Sequence, residues 1–136
     1  MDDLQKSSTV ALAGMKAQTE RLRVIAENLA NADSMAQTPG GTPYQRKVVT
    51  FKSELDRAND LTTVVVGSVR TDRSEFQRRY DPKHPAADSD GYVLAPNINP
   101  MIEMMDMREA QRSYQANLDV ISVSSNLLSE TLKLLR

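Results

Sequence analysis

Residues 107–136 read MREAQRSYQANLDVISVSSNLLSETLKLLR, and residues 11–33 read ALAGMKAQTERLRVIAENLANAD. In the first stretch apolar, small or amide residues fall at Met107, Gln111, Tyr114, Leu118, Ile121, Ser125, Leu128, Leu132 and Leu135. In the second they fall at Ala11, Met15, Gln18, Leu22, Ile25, Leu29 and Ala32. Both rows step by four and three, which is the 3.5-residue repeat of a coiled-coil seam. A further apolar line, Val120, Val123, Leu127 and Leu134, runs beside the C-terminal row. A stripe that wide asks for more than one neighbouring helix.

Working outward from these rows, residues 4–32 predict one helix about 42 Å long at 1.5 Å per residue. Ser7, Ser8 or Thr9 offers a cap if the first residues fray. Asn31 to Ser34 is where the chain should leave the helix, because Asn, Asp and Ser favour caps and turns. The second helix should open at Asn99-Pro100, with Asn99 as N-cap, Pro100 in the first helical position and Glu103 complementing the helix dipole. It should then run to Arg136, about 54 Å. Between the helices, 37–43 is a Pro/Gly loop, and Tyr44–Phe51, Leu61–Val69, Ser74–Tyr80 and Tyr92–Leu94 read as strands separated by turn residues. The expected fold is therefore α+β. Terminal segments 1–34 and 100–136 pair as a coiled-coil-like helical bundle, and 35–99 forms a small β-rich middle.

Composition narrows the function. The 136 residues carry 17 basic against 18 acidic side chains, for a net charge of −1, so no basic footprint for nucleic acid is present. Aromatics are 4% with no Trp, which leaves helix seams to supply much of the buried surface. With no Cys, disulfides, zinc fingers and thiol catalysis are excluded. No run approaches a membrane span, and Met1-Asp2-Asp3-Leu4 lacks the apolar core of a cleavable signal peptide. Met101, Met104, Met105 and Met107 have no His or Cys helpers for copper and read as an adaptable contact surface. His84 stands near Asp81, Asp88 and Asp90, in ordinary turn chemistry rather than a metal site. No phosphate loop or nucleophile motif is present. No enzyme activity, metal, cofactor or small-molecule substrate is expected. Asn28-Leu29-Ala30-Asn31 places two amides at i, i+3, where their hydrogen bonds can fix the chain's exit from the helix.

These residues carry a resemblance. Ala17-Gln18, Arg21-Leu22 and Ile25 through Asp33, with Asn28, Leu29, Ala30 and Asn31 at their centre, resemble the N-terminal signature of bacterial flagellar axial proteins. Tyr114-Gln115-Ala116-Asn117-Leu118 and Thr131 through Arg136 are similar to the matching C-terminal signature. Tyr44 through Phe51, Tyr80-Asp81-Pro82, Asp90 through Val93, and Pro96 through Asn99 with Glu103-Met104 narrow it to the flagellar basal-body rod family, and to its short, C-type proximal members. Ser34 stands where that family usually has Thr, so a hydroxyl is kept.

The resemblance implies a structural subunit of the proximal rod, exported unfolded through the flagellar type III apparatus with no cleaved signal. It implies a place in the basal body across the periplasmic space, with terminal helices inside and the β-rich segment outside. Its partners would be other rod subunits, copies of itself, the export apparatus and, indirectly, the membrane-embedded basal-body ring. Subunit packing would run through Met15, Leu22, Ile25, Leu29, Met107, Tyr114, Leu118, Ile121, Leu128, Leu132 and Leu135. Another rod or hook subunit, or a cytosolic coiled-coil adaptor, remains the alternative.

Overall fold

A computed structural model describes residues 2–135, so the expected helix end at Arg136 lies outside the described residues. Helix α1 spans Asp3–Ala30 and helix α2 spans Pro100–Leu134. Between them lie β1 (Lys47–Asp56), β2 (Leu61–Thr71), β3 (Gln77–Tyr80) and β4 (Tyr92–Ala95). The fold is α+β, two long terminal helices flanking a small β region, as the sequence predicts.

The helix ends follow local chemistry. Asn99 caps α2 as expected: its Oδ1 accepts the Met101 amide at 3.1 Å and its carbonyl accepts the Glu103 amide at 3.1 Å. At the start of α1 the expectation is corrected. The helix already begins at Asp3, and the Ser8 and Thr9 hydroxyls bond back to the Leu4 and Gln5 carbonyls at 3.0 and 2.9 Å instead of capping. At its far end the Asn31 amide nitrogen donates to the Glu27 carbonyl at 2.9 Å, while the Ser34 hydroxyl meets Asn31 Oδ1 at 3.0 Å. The last turn is thereby closed by a side chain.

β1 and β2 are hydrogen-bonded neighbours joined by 57–60, too short a connection for anything but an antiparallel pair. Asp56 builds the turn, accepting the Ala58 amide at 3.0 Å and the Asn59 side chain at 2.7 Å, and Asp60 adopts φ 49°. β3 and β4 pair antiparallel with Gln77 opposite Ala95 and Tyr80 opposite Tyr92. Gly91, at φ 85°, immediately precedes β4, and a Cβ there would lie 2.9 Å from the Tyr80 ring. Two strands are shorter at their start than predicted. Residues 44–46 are drawn into side-chain bonds with 28, 72, 97 and 103, and Ser74 turns on the Asp72 carboxylate at 2.9 Å.

The chain forms two compact units. The first takes the chain up to Leu22, Val49–Ser68 and the chain from Arg108; the second takes Arg23–Val48 and Val69–Met107. Each unit therefore holds part of both helices and part of the β region. In the first, Ala11, Ala17, Leu61, Ala110 and Ser124 are buried. In the second, Val24, Ile25, Ala32, Ala36, Ala86, Val93, Ala95 and Ile98 are buried, with Ala36, Ala86 and Val93 packed together, and Asn28 and Glu103 are buried too.

Candidate functional site

Two features stand out, one in each unit. In the second unit a polar hub gathers around Asn28 and Glu103, each 1% exposed. The Asn28 side chain acts as a piece of strand: Oδ1 accepts the Lys47 amide at 2.9 Å and Nδ2 donates to the Lys47 carbonyl at 2.8 Å. It also donates to Glu103 Oε2 at 3.4 Å and accepts from the Tyr44 hydroxyl at 3.3 Å. Arg46 pairs with Glu103 through Nε and reaches Asp72 at 3.2 Å and Asp106 at 3.7 Å. Asn97 accepts the Arg46 amide at 2.8 Å and donates to the Asp72 carbonyl at 3.0 Å.

The electrostatics follow from these contacts. Burial opposes the Arg46 charge, but the Glu103 and Asp72 carboxylates outweigh it and raise the guanidinium's pKa. The Ser74 amide, against burial and with Arg46 adding to it, holds Asp72 below the ordinary 3.8. Outside the hub, the Lys47 ammonium, 2.5 Å from Glu27, lowers the Glu27 pKa against partial desolvation.

In the first unit the helices run antiparallel. Asn117 lies over Gly14, where a Cβ would meet its side chain at 2.8–3.1 Å, and Arg21 reaches Glu109 at 3.6 Å. Along α2 the row of Glu103, Ala110, Asn117 and Ser124 keeps a heptad spacing, and on α1 Gly14, Arg21 and Asn28 keep the same spacing. In each unit, members of these small and polar rows face one another. Glu103, Ala110 and Ser124 are buried, as are Gly14 and Asn28, and Asn117 is half-buried.

The predicted apolar rows lie one position away. Ile25 is buried; Met15, Leu22, Leu29, Met107, Tyr114 and Ile121 are half-buried. Leu118, Leu128, Leu132 and Leu135 are exposed, together with Val120, Val123, Leu127 and Leu134. Of the signature residues, Asn28 is buried, Asn31 and Asn117 are half-buried, and Ala30 and Ala116 are exposed. Met101, Ile102, Met104 and Met105 add an exposed apolar turn at the start of α2. His84 Nδ1 accepts the Ala86 amide at 3.0 Å, and among the described residues no group of His, Cys, Asp or Glu is arranged to hold a metal ion. No described helix is long and apolar enough to cross a membrane.

Sequence reasoning gave Asp72 no role, met Arg46 and Asn97 only inside the motifs of the resemblance, and read Glu103 as a dipole complement and motif residue, so the hub they form went unread. The available signal was the second heptad, Glu103-Ala110-Asn117-Ser124, which a search for leucines passes over.

Such a chain, with small and polar residues in its helix seam and many large aliphatic residues of α2 exposed, is of the class of helix-ended structural subunits. Residues 89–134 match the family described as flagellar basal body rod FlgEFG protein C-terminal. The chain is 49% identical to the flagellar basal-body rod protein FlgC of Agrobacterium fabrum over 136 residues, covering 100% of this chain and 98% of that one. It is 39% identical to FlgC of Aquifex aeolicus over 133 residues, with 96% of each chain covered, and 38% identical to FlgC of Salmonella typhimurium over 125 residues, with 92% of each covered. The chain belongs to the flagellar basal-body rod protein family, with FlgC as its relatives.

Proposed function

We propose that this protein is a structural subunit of the flagellar basal-body proximal rod, assembling through its terminal helices with other rod subunits and with copies of itself into a hollow drive shaft. The observation that carries this reading is the exposed aliphatic surface of α2 on either side of its buried row. Leu118, Val120, Val123, Leu127, Leu128 and Leu132 are exposed along one helix, while the small and polar row is buried. Exposed aliphatic surface this wide marks a protein–protein interface. Torque transmission follows from close-packed helices, which resist shear because their interiors are as dense as organic crystals. The division of labour is terminal segments 1–34 and 100–136 inward and 35–99 outward. The subunit crosses the inner membrane through the flagellar export apparatus without a cleaved signal, lies in the periplasmic part of the basal body and touches the membrane-embedded ring indirectly. It has no catalytic role.

The test is Leu118→Asp and Leu128→Asp in cells lacking their own copy. Both variants should be secreted at normal levels but absent from isolated basal bodies, and the cells should not swim. Normal swimming by either variant would reject helix-face assembly.

A further inference from the structure

Within the second unit, polar ties between 35–99 and the helices converge on two consecutive residues, Arg46 and Lys47. The Lys47 amide and carbonyl are held by Asn28 of α1 at 2.9 and 2.8 Å. The Arg46 amide donates to Asn97 Oδ1 at 2.8 Å, and its carbonyl accepts the Asp72 amide at 2.7 Å. The Arg46 backbone is thus anchored inside 35–99, and its side chain reaches α2.

The three guanidinium nitrogens take three different carboxylates. Nε pairs with Glu103, Nη1 lies 3.2 Å from Asp72 and Nη2 lies 3.7 Å from Asp106. Glu103 and Asp106 stand at i, i+3 on α2, while Asp72 directly follows β2. The Arg46 side chain is 21% exposed, so water and salt screen these pairs only in part. By comparison, Lys47–Glu27 and Arg79–Asp33 each join one cation to one anion. The packed apolar trio of Ala36, Ala86 and Val93 belongs wholly to 35–99 and draws in no residue of either helix.

A guanidinium is planar, and its N–H donors point in fixed directions. When one carboxylate shifts against the other two, the plate cannot follow it without leaving them. A lysine ammonium is a single point charge on a flexible stem. It would track one carboxylate and release the rest.

We infer that Arg46 is the positioning residue that keeps this part of the β-rich segment fixed to α2 under load, so that segment and helix turn as one body. It acts through Glu103, Asp106 and Asp72, and Asn28 holds the neighbouring Lys47 to α1. The inference rests on the rod-subunit reading and adds where, inside one subunit, torque passes between segment and helix.

The test is swimming under load. Tagged subunits are expressed in cells lacking the native copy, and the viscosity at which half the cells stop swimming is measured in Ficoll solutions. Arg46→Lys should enter basal bodies and support swimming in dilute medium, but lower that viscosity at least twofold. Val93→Ala, a buried change in the apolar trio, should lower the urea midpoint of the free subunit at least as far and keep the wild-type threshold. A wild-type threshold for Arg46→Lys overturns the inference, as does an equal loss in Val93→Ala, which would reduce the effect to stability alone. Asp72→Asn and Asp106→Asn each weaken one arm without changing side-chain shape, and each should lower the threshold by less than Arg46→Lys. Wild-type thresholds for both overturn the inference whatever becomes of Arg46→Lys. Absence of the tagged wild-type chain from basal bodies overturns the rod reading itself.

Discussion

The unit built on Arg23–Val48 and Val69–Met107 and the unit that holds the free ends of the helices solve opposite problems. In the former the polar groups Asn28, Arg46, Asp72, Asn97 and Glu103 all have partners within the unit. In the latter the internal seam is made of Gly14, Ala17, Ala110 and Ser124, and the aliphatic side chains lie outside. One unit satisfies its buried polar groups with its own residues, while the other leaves a long run of large aliphatic side chains exposed. The lesson is that a helix can bury a small and polar row at home and leave the large aliphatic side chains flanking it for assembly.

That contrast breaks most sharply at Glu103. Glu103→Ala removes a buried carboxylate from Arg46 and Asn28 and leaves Arg46 with Asp72 and Asp106, at a cost of ~2–3 kcal/mol. Urea unfolding followed by circular dichroism should show the loss in the free subunit. Leu132→Asp, by contrast, should change that free-subunit midpoint by less than ~0.5 kcal/mol, since the side chain is exposed, while eliminating incorporation into basal bodies. Equal destabilisation by both variants would erase the distinction between the units.

Asn28→Ala comes next. It leaves the Lys47 amide and carbonyl without their side-chain partner, which should cost ~1–3 kcal/mol and speed hydrogen exchange at the Lys47 amide. Gly14→Ala follows. The added methyl meets the Asn117 amide at 2.8–3.1 Å, and the net loss should be ~1 kcal/mol, after the helix-propensity gain of Ala. Combining it with Asn117→Ser should restore most of that stability, and a double-mutant cycle without coupling would remove Asn117 from the seam.

The smallest effect is that of acid. Asp72 is depressed, chiefly by the Ser74 amide, so its contribution is fully present above the unfolded value of about 3.8 and is lost as the pH falls through the lower folded value. Stability measured from pH 7 to pH 2 should therefore start to fall near pH 4, and Asp72→Asn should flatten part of that fall. A wild-type curve unchanged by Asp72→Asn would detach this carboxylate from the hub.

Much of the fold was legible because its signals are local. Asn99-Pro100 marked the start of α2, Asp-Gly marked the turn before β4, and the aliphatic periodicity marked both helices. The amides at 28 and 31 were legible as an exit device, and both do bind near the end of α1. Arg46 and Glu103 were not, being 57 residues apart and ordinary charged residues when read singly. Nor was the internal seam, because a heptad of Glu, Ala, Asn and Ser carries little hydrophobic contrast against the leucine row next to it.

By itself the sequence determined that there are two long helices, where each begins and ends to within a few residues, and that one carries more apolar surface than a two-helix pair can cover. These follow from period, capping and composition, which act over a turn or two of chain. Only the tertiary structure decided which heptad row turns inward. That choice depends on close approach at Gly14, on the Asn28 side chain standing in for a strand, and on the Arg46–Glu103 pair, and each of these exists only once distant segments meet.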